Sequence, residues 1–399
     1  MDPYLTDWLN LLLRWAHVVV AIAWIGSSFY FVFLDNSLTP PQDEASKSRG
    51  VSGELWAVHG GGFYHPQKYM VAPPALPEKL HWFYWESYST WLTGFGLFTL
   101  LYLLQASTYL IDPKVHAWSV PGAVGTALGV LVLFWAAYDA LCRALGRGQH
   151  GDRHVGLGVA LLVVVTAVAA CGLFAGRAAF MLVGAAMATA MSANVFVWII
   201  PGQRAVIAQM KAGTTVDPAH GQRARQRSLH NTYFGLPVLV AMLSNHYAFL
   251  YGAPHNAAVL LLLMAAGALI RHFFVARRRA LLQGRRAPWE HAIVGVLLLM
   301  VTAVWLRPPA HPKSTPDHVP VTLAQVQTII DQRCVVCHNA TLQNKGVALH
   351  TAEQVQQHAL AIYQQAVVLK QMPMNNATQI TDEERDALRR WFETSGATR

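Results

Sequence analysis

The sequence predicts an all-α protein in two unlike parts. A polytopic transmembrane bundle of about eight helices fills residues 1–306, and a small helical domain fills 321–399. Three observations carry this. Hydrophobic residues make up 54% of the chain and charged ones only 13%. Apolar runs close to the roughly 20 residues that cross a bilayer recur through the first three quarters of the chain. From about His311 these runs stop and amphipathic helical spacing replaces them.

Taken in order, the spans fall at 8–34, 81–111, 120–145, 155–175, 178–200, 233–251, 256–275 and 291–306. The fourth and fifth are separated by little more than Gly176 and Arg177. The first run is too long for the apolar core of a cleavable signal, and no small-residue cleavage site follows it, so no signal peptide is expected. Nearly all loop Lys and Arg lie after the first, third, fifth and seventh spans, whereas the opposite loops offer only Lys114 and Arg177. By the positive-inside rule the richer set is cytoplasmic and both termini lie outside. The net charge of +9 is therefore topological, because 311–399 holds eight basic and eight acidic residues. A nucleic-acid partner has no basic domain to bind. Cys142 and Cys171 lie within helices and read as packing thiols.

The first cytoplasmic loop, 35–80, is too long for a tight connection. Its part 40–50 is expected to be disordered. The stretch from Glu54 to Lys68 is instead aromatic and glycine-rich, with His59 and His65. Gly60, Gly61 and Gly62 would permit close backbone approach to a ligand, although the Gly-Lys-Ser/Thr ending of a phosphate-binding loop is missing.

Polar side chains inside the bilayer are costly, so each is a functional candidate. On the first helix Arg14, His17, Ala21, Trp24 and Ser28 form one stripe, as Trp82, Glu86, Ser89 and Thr93 do on the second. Asp139, His246 and Arg271 stand alone on the third, sixth and seventh. Arg14, Glu86 and Asp139 lie within two turns of an interface, where snorkelling competes with function. His17 and His246 fall in the outer halves of their helices.

Residues 307–320 contain five prolines and form a semi-rigid linker. A helix over 323–331 then leads into Cys334-Val-Val-Cys337-His338, a c-type haem attachment signature. The two thiols add across the haem vinyl groups, and His338 becomes the proximal iron ligand. A thioredoxin-like pair would not need the adjacent histidine, and a zinc site would need a second Cys pair. The far-side ligand comes from Gln371-Met372-Pro373-Met374, with Met372 the first choice and Met374 the alternative. A Met/His pair makes a high-potential, electron-transferring haem. Thr381 and Glu384 form a capping box for a last helix ending near Phe392. Haem is attached to cytochromes c outside the cytoplasm, which agrees with the charge count.

The stretches Arg14-Trp-Ala-His17, Trp24-Ile-Gly-Ser-Ser-Phe-Tyr-Phe31, Gly53-Glu-Leu-Trp56, His59-Gly-Gly-Gly-Phe-Tyr64 and His81-Trp-Phe-Tyr-Trp-Glu86-Ser-Tyr88 resemble the membrane-bound urate oxidase (urate hydroxylase) family. Its members are similar in architecture, a polytopic domain followed by a cytochrome c domain, and the resemblance covers essentially the whole chain. It implies a bacterial inner-membrane enzyme that oxidises urate to 5-hydroxyisourate. Electrons would leave through haem c to a terminal oxidase or a soluble cytochrome, without hydrogen peroxide.

That chemistry removes two electrons, whereas one haem c accepts one. A cytoplasmic urate site would also lie across roughly 30 Å of hydrocarbon from a periplasmic haem. Either a urate radical persists or a second centre, a b-type haem or a metal, sits in the bundle. His17 and His246 are the first pair for it. Urate, a planar anion, calls for an arginine edge and an aromatic face, such as Arg14 with Trp24, or the loop with Trp82. His17, His59 and Glu86 are the candidate bases for activating water. Two other classes fit parts of the chain: a membrane-tethered cytochrome c subunit serving a quinol or another dehydrogenase, and a transporter or sensor with a redox-responsive domain.

Overall fold

The computed structural model describes residues 3–70, 72–146, 148, 150–307, 321–343 and 346–394. Among the described residues the bundle is built of eight helical rods in chain order. The first is α1 (Pro3–Ser37). Its C-terminal end leads into a loop holding α2 (Glu44–Ser48) and strands β1 (Gly53–Glu54), β2 (Ala57–His59), β3 (Gly62–Tyr64) and β4 (Gln67–Lys68). The second rod joins α3 (Trp85–Phe98) to the π-helical turn Thr99–Leu103 and α4 (Ala106–Tyr109). α5 (Val120–Leu145) and α6 (Gly151–Leu173) follow. The fifth rod is α7 (Gly176–Ala193), a π-helical segment Asn194–Ile199 and α8 (Ile200–Lys211), without a break. The sixth is α9 (Pro218–Leu243), followed by the turn Ser244–His246 and α10 (Ala248–Tyr251). α11 (Asn256–Leu282) and α12 (Trp289–Trp305) complete the bundle. Five of the rods, α1, α5, α6, α7–α8 and α11, are each long and apolar enough to cross a membrane. The protein is an all-α membrane helix bundle.

α7 is the central rod, packed by α3, α5, α6 and α9. Its small residues permit this: a Cβ on Gly184 would stand 2.7 Å from that of Ala241. Phe174, Phe180, Leu182, Met187 and Leu260 fill the surrounding core. α1 is peripheral, packing on α3 and α11, with most of its apolar side chains exposed.

The sixth rod departs most from expectation: its helix starts at Pro218, fifteen residues before the expected span of 233–251, and it reaches Tyr251 through the turn Ser244–His246 and α10. The Asp217 side chain caps its start at the Ala219 N–H, 2.8 Å away, and Pro218 supplies a preset first turn. Hydropathy passes over this half because it is basic, yet Arg227 points into the bundle and is buried there. The second span also begins later than expected, at Trp85, which leaves His81 in the loop.

The loop corrects two further expectations. Residues 40–50 are ordered: Asp43 caps α2 through the Ser46 N–H at 2.7 Å, and Ser46 is buried. β1 pairs antiparallel with β4, and β2 with β3. Gly60 and Gly61 form the hairpin turn with φ of +58° and +80°, so their freedom serves the turn. Glu54, on β1, is buried 3.0 Å from His65 Nε2, and His65 stacks on Trp56.

The C-terminal part has a core of its own, built on Val326, Ile330, Leu388, Trp391 and Phe392. Its helices are α13 (Leu323–Arg333), α14 (Ala352–Gln357), α15 (Ala359–Ile362) and α16 (Asp382–Thr394). The expected box opens α16, with Thr381 N–H donating to Glu384 at 2.8 Å and Glu384 N–H to Thr381 Oγ1 at 3.2 Å. Apart from Arg307, the linker lies outside the described residues.

Candidate functional site

Arg271 is the most unusual side chain in the bundle. It sits midway along α11 and is 1% exposed. Its guanidinium reaches only neutral oxygens at long range: Ser28 Oγ at 3.3 Å, the Ser28 carbonyl at 3.4 Å and the Thr232 carbonyl at 3.3 Å. No carboxylate pairs with it among the described residues. The charge lies 3.9 Å from the centre of the Phe29 ring. A buried cation without a counter-ion is strongly disfavoured, so this geometry is receptive to an anion.

A cavity of about 30 Å³ adjoins the guanidinium, walled by Trp24, Phe29, Met191, Asn231, Thr232 and Gly235 among others. As it stands this holds about one water. Two aromatic faces and an amide surround a cationic edge, which suits a flat, hydrogen-bonding anion. Trp24 and Phe29 both belong to peripheral α1, the rod best placed to yield to a larger guest.

Asn231 ties the cavity to a buried polar network at the Lys/Arg-rich end of the bundle. The Asn194 amide donates to Asn231 Oδ1 and to Tyr138 Oη, both at 2.9 Å. Tyr138 Oη in turn lies 2.9 Å from His230 Nδ1. Arg227 meets Asp139 Oδ1 at 2.7 Å, between the rings of Tyr138 and Trp198. Trp198 Nε1 donates to the same oxygen at 2.7 Å, and Arg143 Nε lies 2.9 Å from Oδ2. The π-helical segment that starts at Asn194 re-aims the fifth rod here, a device frequent at functional sites.

The residues singled out in the sequence fall in different places. His17 faces α3, its Nδ1 3.1 Å from both the Thr90 carbonyl and Thr93 Oγ1. Because the carbonyl only accepts, Nδ1 carries the proton and Nε2 remains an acceptor. Gly94 makes room for the ring, since a Cβ there would stand 2.8 Å from His17 Cε1. Leu13 meets Gly96 and His17 meets Gly94, and continuing this register brings Glu86 level with Trp24. Glu86 Oε2 is buried without a hydrogen-bond partner. His59 is exposed beside the hairpin turn. His246 belongs to the turn Ser244–His246, which packs on α7 and α9. Its neighbour Asn245 bonds Tyr102, nine residues beyond Thr93 and so about 13 Å further along that rod. His17 and His246 are therefore not gathered at one point. Arg14 is exposed and bonds Asn10.

In the C-terminal part, α13 ends immediately before Cys334. The two motif cysteines are not joined to one another, and Cys334 is half-buried while Cys337 is exposed. His338 Nδ1 lies 3.0 Å from the Val347 carbonyl oxygen and so donates to it. That fixes the ring and leaves Nε2 for a metal, as a haem-ligating histidine requires. Met372 and Met374 are both half-buried, and the Met372 carbonyl accepts from Arg385 at 3.0 Å. This donor set fits a covalent haem c. The turn Met374–Asn376 lies against α4, at the bundle end opposite the basic one.

Fold and cavity together define a polytopic membrane protein with a buried, unpaired guanidinium at a small cavity among its helices. The family described as urate oxidase N-terminal matches residues 3–307, and the chain belongs to that family. No curated protein and no solved structure matches it.

Proposed function

We propose that the protein oxidises urate to 5-hydroxyisourate within the bundle, with the C-terminal domain carrying electrons out and no hydrogen peroxide formed. The observation that carries this, beside family membership, is the unpaired Arg271 guanidinium against aromatic walls. Urate and water give 5-hydroxyisourate, two protons and two electrons. Arg271 binds the anionic edge, Trp24 and Phe29 cover the ring, and Asn231 with Thr232 sets its rotation. Glu86, with an unpartnered buried oxygen level with Trp24, is placed to take a proton from the attacking water. His17 is the second candidate for that role. His59, exposed on its hairpin, is the least favoured.

Cys334, Cys337 and His338 would hold a haem c, with Met372 or Met374 as the sixth ligand. Bound there, it supplies one-electron transfer at high potential. The basic end is read as cytoplasmic and the haem domain as periplasmic, in a bacterial inner membrane, facing a terminal oxidase or soluble cytochrome. Arg271 lies fifteen residues from the start of α11, about 22 Å from the far end. Trp91, Phe95, Phe98, Tyr102 and Tyr109 occupy this interval on the second rod, with Phe98–Tyr102 and Tyr102–Tyr109 ring centres 5.4 and 6.2 Å apart. Two electrons leaving one at a time require either a transient urate radical or a second centre, a b-type haem or metal. Pyridine haemochrome analysis decides between one haem c alone and an added haem b.

The deciding experiment adds urate anaerobically to purified, oxidised protein and follows the haem α-band. Reduction at the turnover rate is expected. An unreduced band in protein that dithionite still reduces would instead favour the tethered-cytochrome reading. Replacing Met372 by Ala should lower the haem potential and abolish the iron–sulfur absorbance band, because a thioether favours the ferrous state. Loss only on replacing Met374 would transfer the ligand role to that residue.

A further inference from the structure

His272, the residue after Arg271, lines a second and larger cavity. It opens toward the basic end and measures about 330 Å³. That falls in the range of about 300–1,000 Å³ typical of small-ligand sites. Exposed Arg279, Arg285 and Arg286 line it together with the half-buried His272 and His291, and Glu290 is the one acidic lining residue. Arg285 bonds the neutral Gln283 side chain at 2.6 Å. None of the three arginines is ion-paired among the described residues. His291 Nδ1 is buried without a hydrogen-bond partner, with Glu290 Oε1 3.5 Å away.

Adjacent residues of α11 line the two cavities, Arg271 the first and His272 the second. Tyr233 Oη and His272 Nδ1 are 2.7 Å apart. Tyr233 follows Thr232, and His272 follows Arg271, and Thr232 and Arg271 both line the smaller cavity. This hydroxyl–imidazole contact thus ties α9 to α11 one residue away from the Arg271 cavity and at the wall of the larger basin. The His291 ring backs His272 at 4.3 Å between centres.

We propose that this basin is a vestibule that binds a small planar organic anion, here urate, and passes it to Arg271 when the Tyr233–His272 contact parts. The proposal rests on the reading of the Arg271 cavity as the urate site. Three exposed arginines at a membrane face would also suit lipid phosphates. Two imidazoles and the Ala276, Ala280 and Pro288 walls instead line a cavity of about 330 Å³, more enclosure than a headgroup contact needs.

The test uses full-length, pre-reduced protein in zwitterionic nanodiscs, so that urate binds without turnover, read by surface plasmon resonance. The triple variant R279Q/R285Q/R286Q should bind urate about tenfold more slowly in low salt, with an unchanged dissociation rate. The difference should vanish as salt screens the basin. Y233F should raise association and dissociation rates together. Equal association rates for wild type and triple variant overturn the vestibule. So does a deficit that appears only in discs containing anionic phosphatidylglycerol, which assigns the arginines to lipid. Wild-type binding that R271Q abolishes while the triple variant leaves it untouched sinks the vestibule alone. Absence of wild-type binding sinks the urate site with it.

Discussion

Replacing Arg271 by Met should abolish urate binding while leaving the bundle at least as stable as before. The two halves of this expectation come from the same geometry. Arg271 is buried, bonded only to neutral oxygens at 3.3–3.4 Å, and without a carboxylate partner among the described residues. A charge held this way costs folding energy until an anion arrives, so an isosteric apolar side chain removes the cost. The same replacement removes the charge that receives the substrate. Losing one partner of a buried, hydrogen-bonded charge pair typically costs about 2–4 kcal/mol, roughly a thirty- to thousand-fold loss of affinity. The measurements are thermal denaturation in detergent with and without urate, and urate-driven reduction of the haem domain. Wild type should gain stability from urate and the variant should not. A variant that is destabilised, yet reduced by urate at the wild-type concentration dependence, would make Arg271 a structural cation and remove the proposed site. R271K is the sharper control, because a point charge keeps attraction but loses the bidentate edge.

Much of this architecture was readable in order along the chain, and the exceptions have physical causes. Apolar runs located the third span at 120–145 as found, because its faces meet only lipid and other helices. The capping pair Thr381 and Glu384 was equally local. The start of α9 was missed because Arg223, Arg225 and Arg227 lower the hydropathy of a stretch whose polarity is partly directed inward, although Asp217-Pro218 is a helix-start signal. Order in 40–50 was missed because the Asp43 cap and the burial of Ser46 against the β1–β4 pair were outweighed by composition. Arg271 itself stood out as a lone charge on the seventh span. Its meaning did not, since Phe29, Ser28, Asn231 and Thr232 arrive from two other rods. Nothing in the spacing of one helix reports a contact made across more than two hundred residues, such as Ser28 with Arg271.

The largest stability loss is expected at Asp139. This carboxylate is 6% exposed and accepts from Arg227, Arg143 and Trp198 at 2.7–2.9 Å. Arg227 is 3% exposed, enclosed by the Tyr138 and Trp198 rings, and also reaches the neutral Asn194 Oδ1 at 3.5 Å. Asp139→Ala therefore strands a buried guanidinium, at a cost of about 3–5 kcal/mol. Arg143→Ala, which removes a largely exposed partner of the same carboxylate, should cost less than about 1 kcal/mol. The double variant D139A/R227M should recover most of the loss, because the penalty belongs to the unpaired charge and not to the pair. Thermal or denaturant unfolding of all four proteins in one detergent checks the ranking. The same series separates structure from function: D139A/R227M keeps Asn194, Tyr138 and Asn231, so it should refold the network that ends on the cavity and retain urate affinity within a few fold. Stability restored with urate affinity still lost would instead place Arg227 in the substrate site and move the receptive charge from α11 to α9.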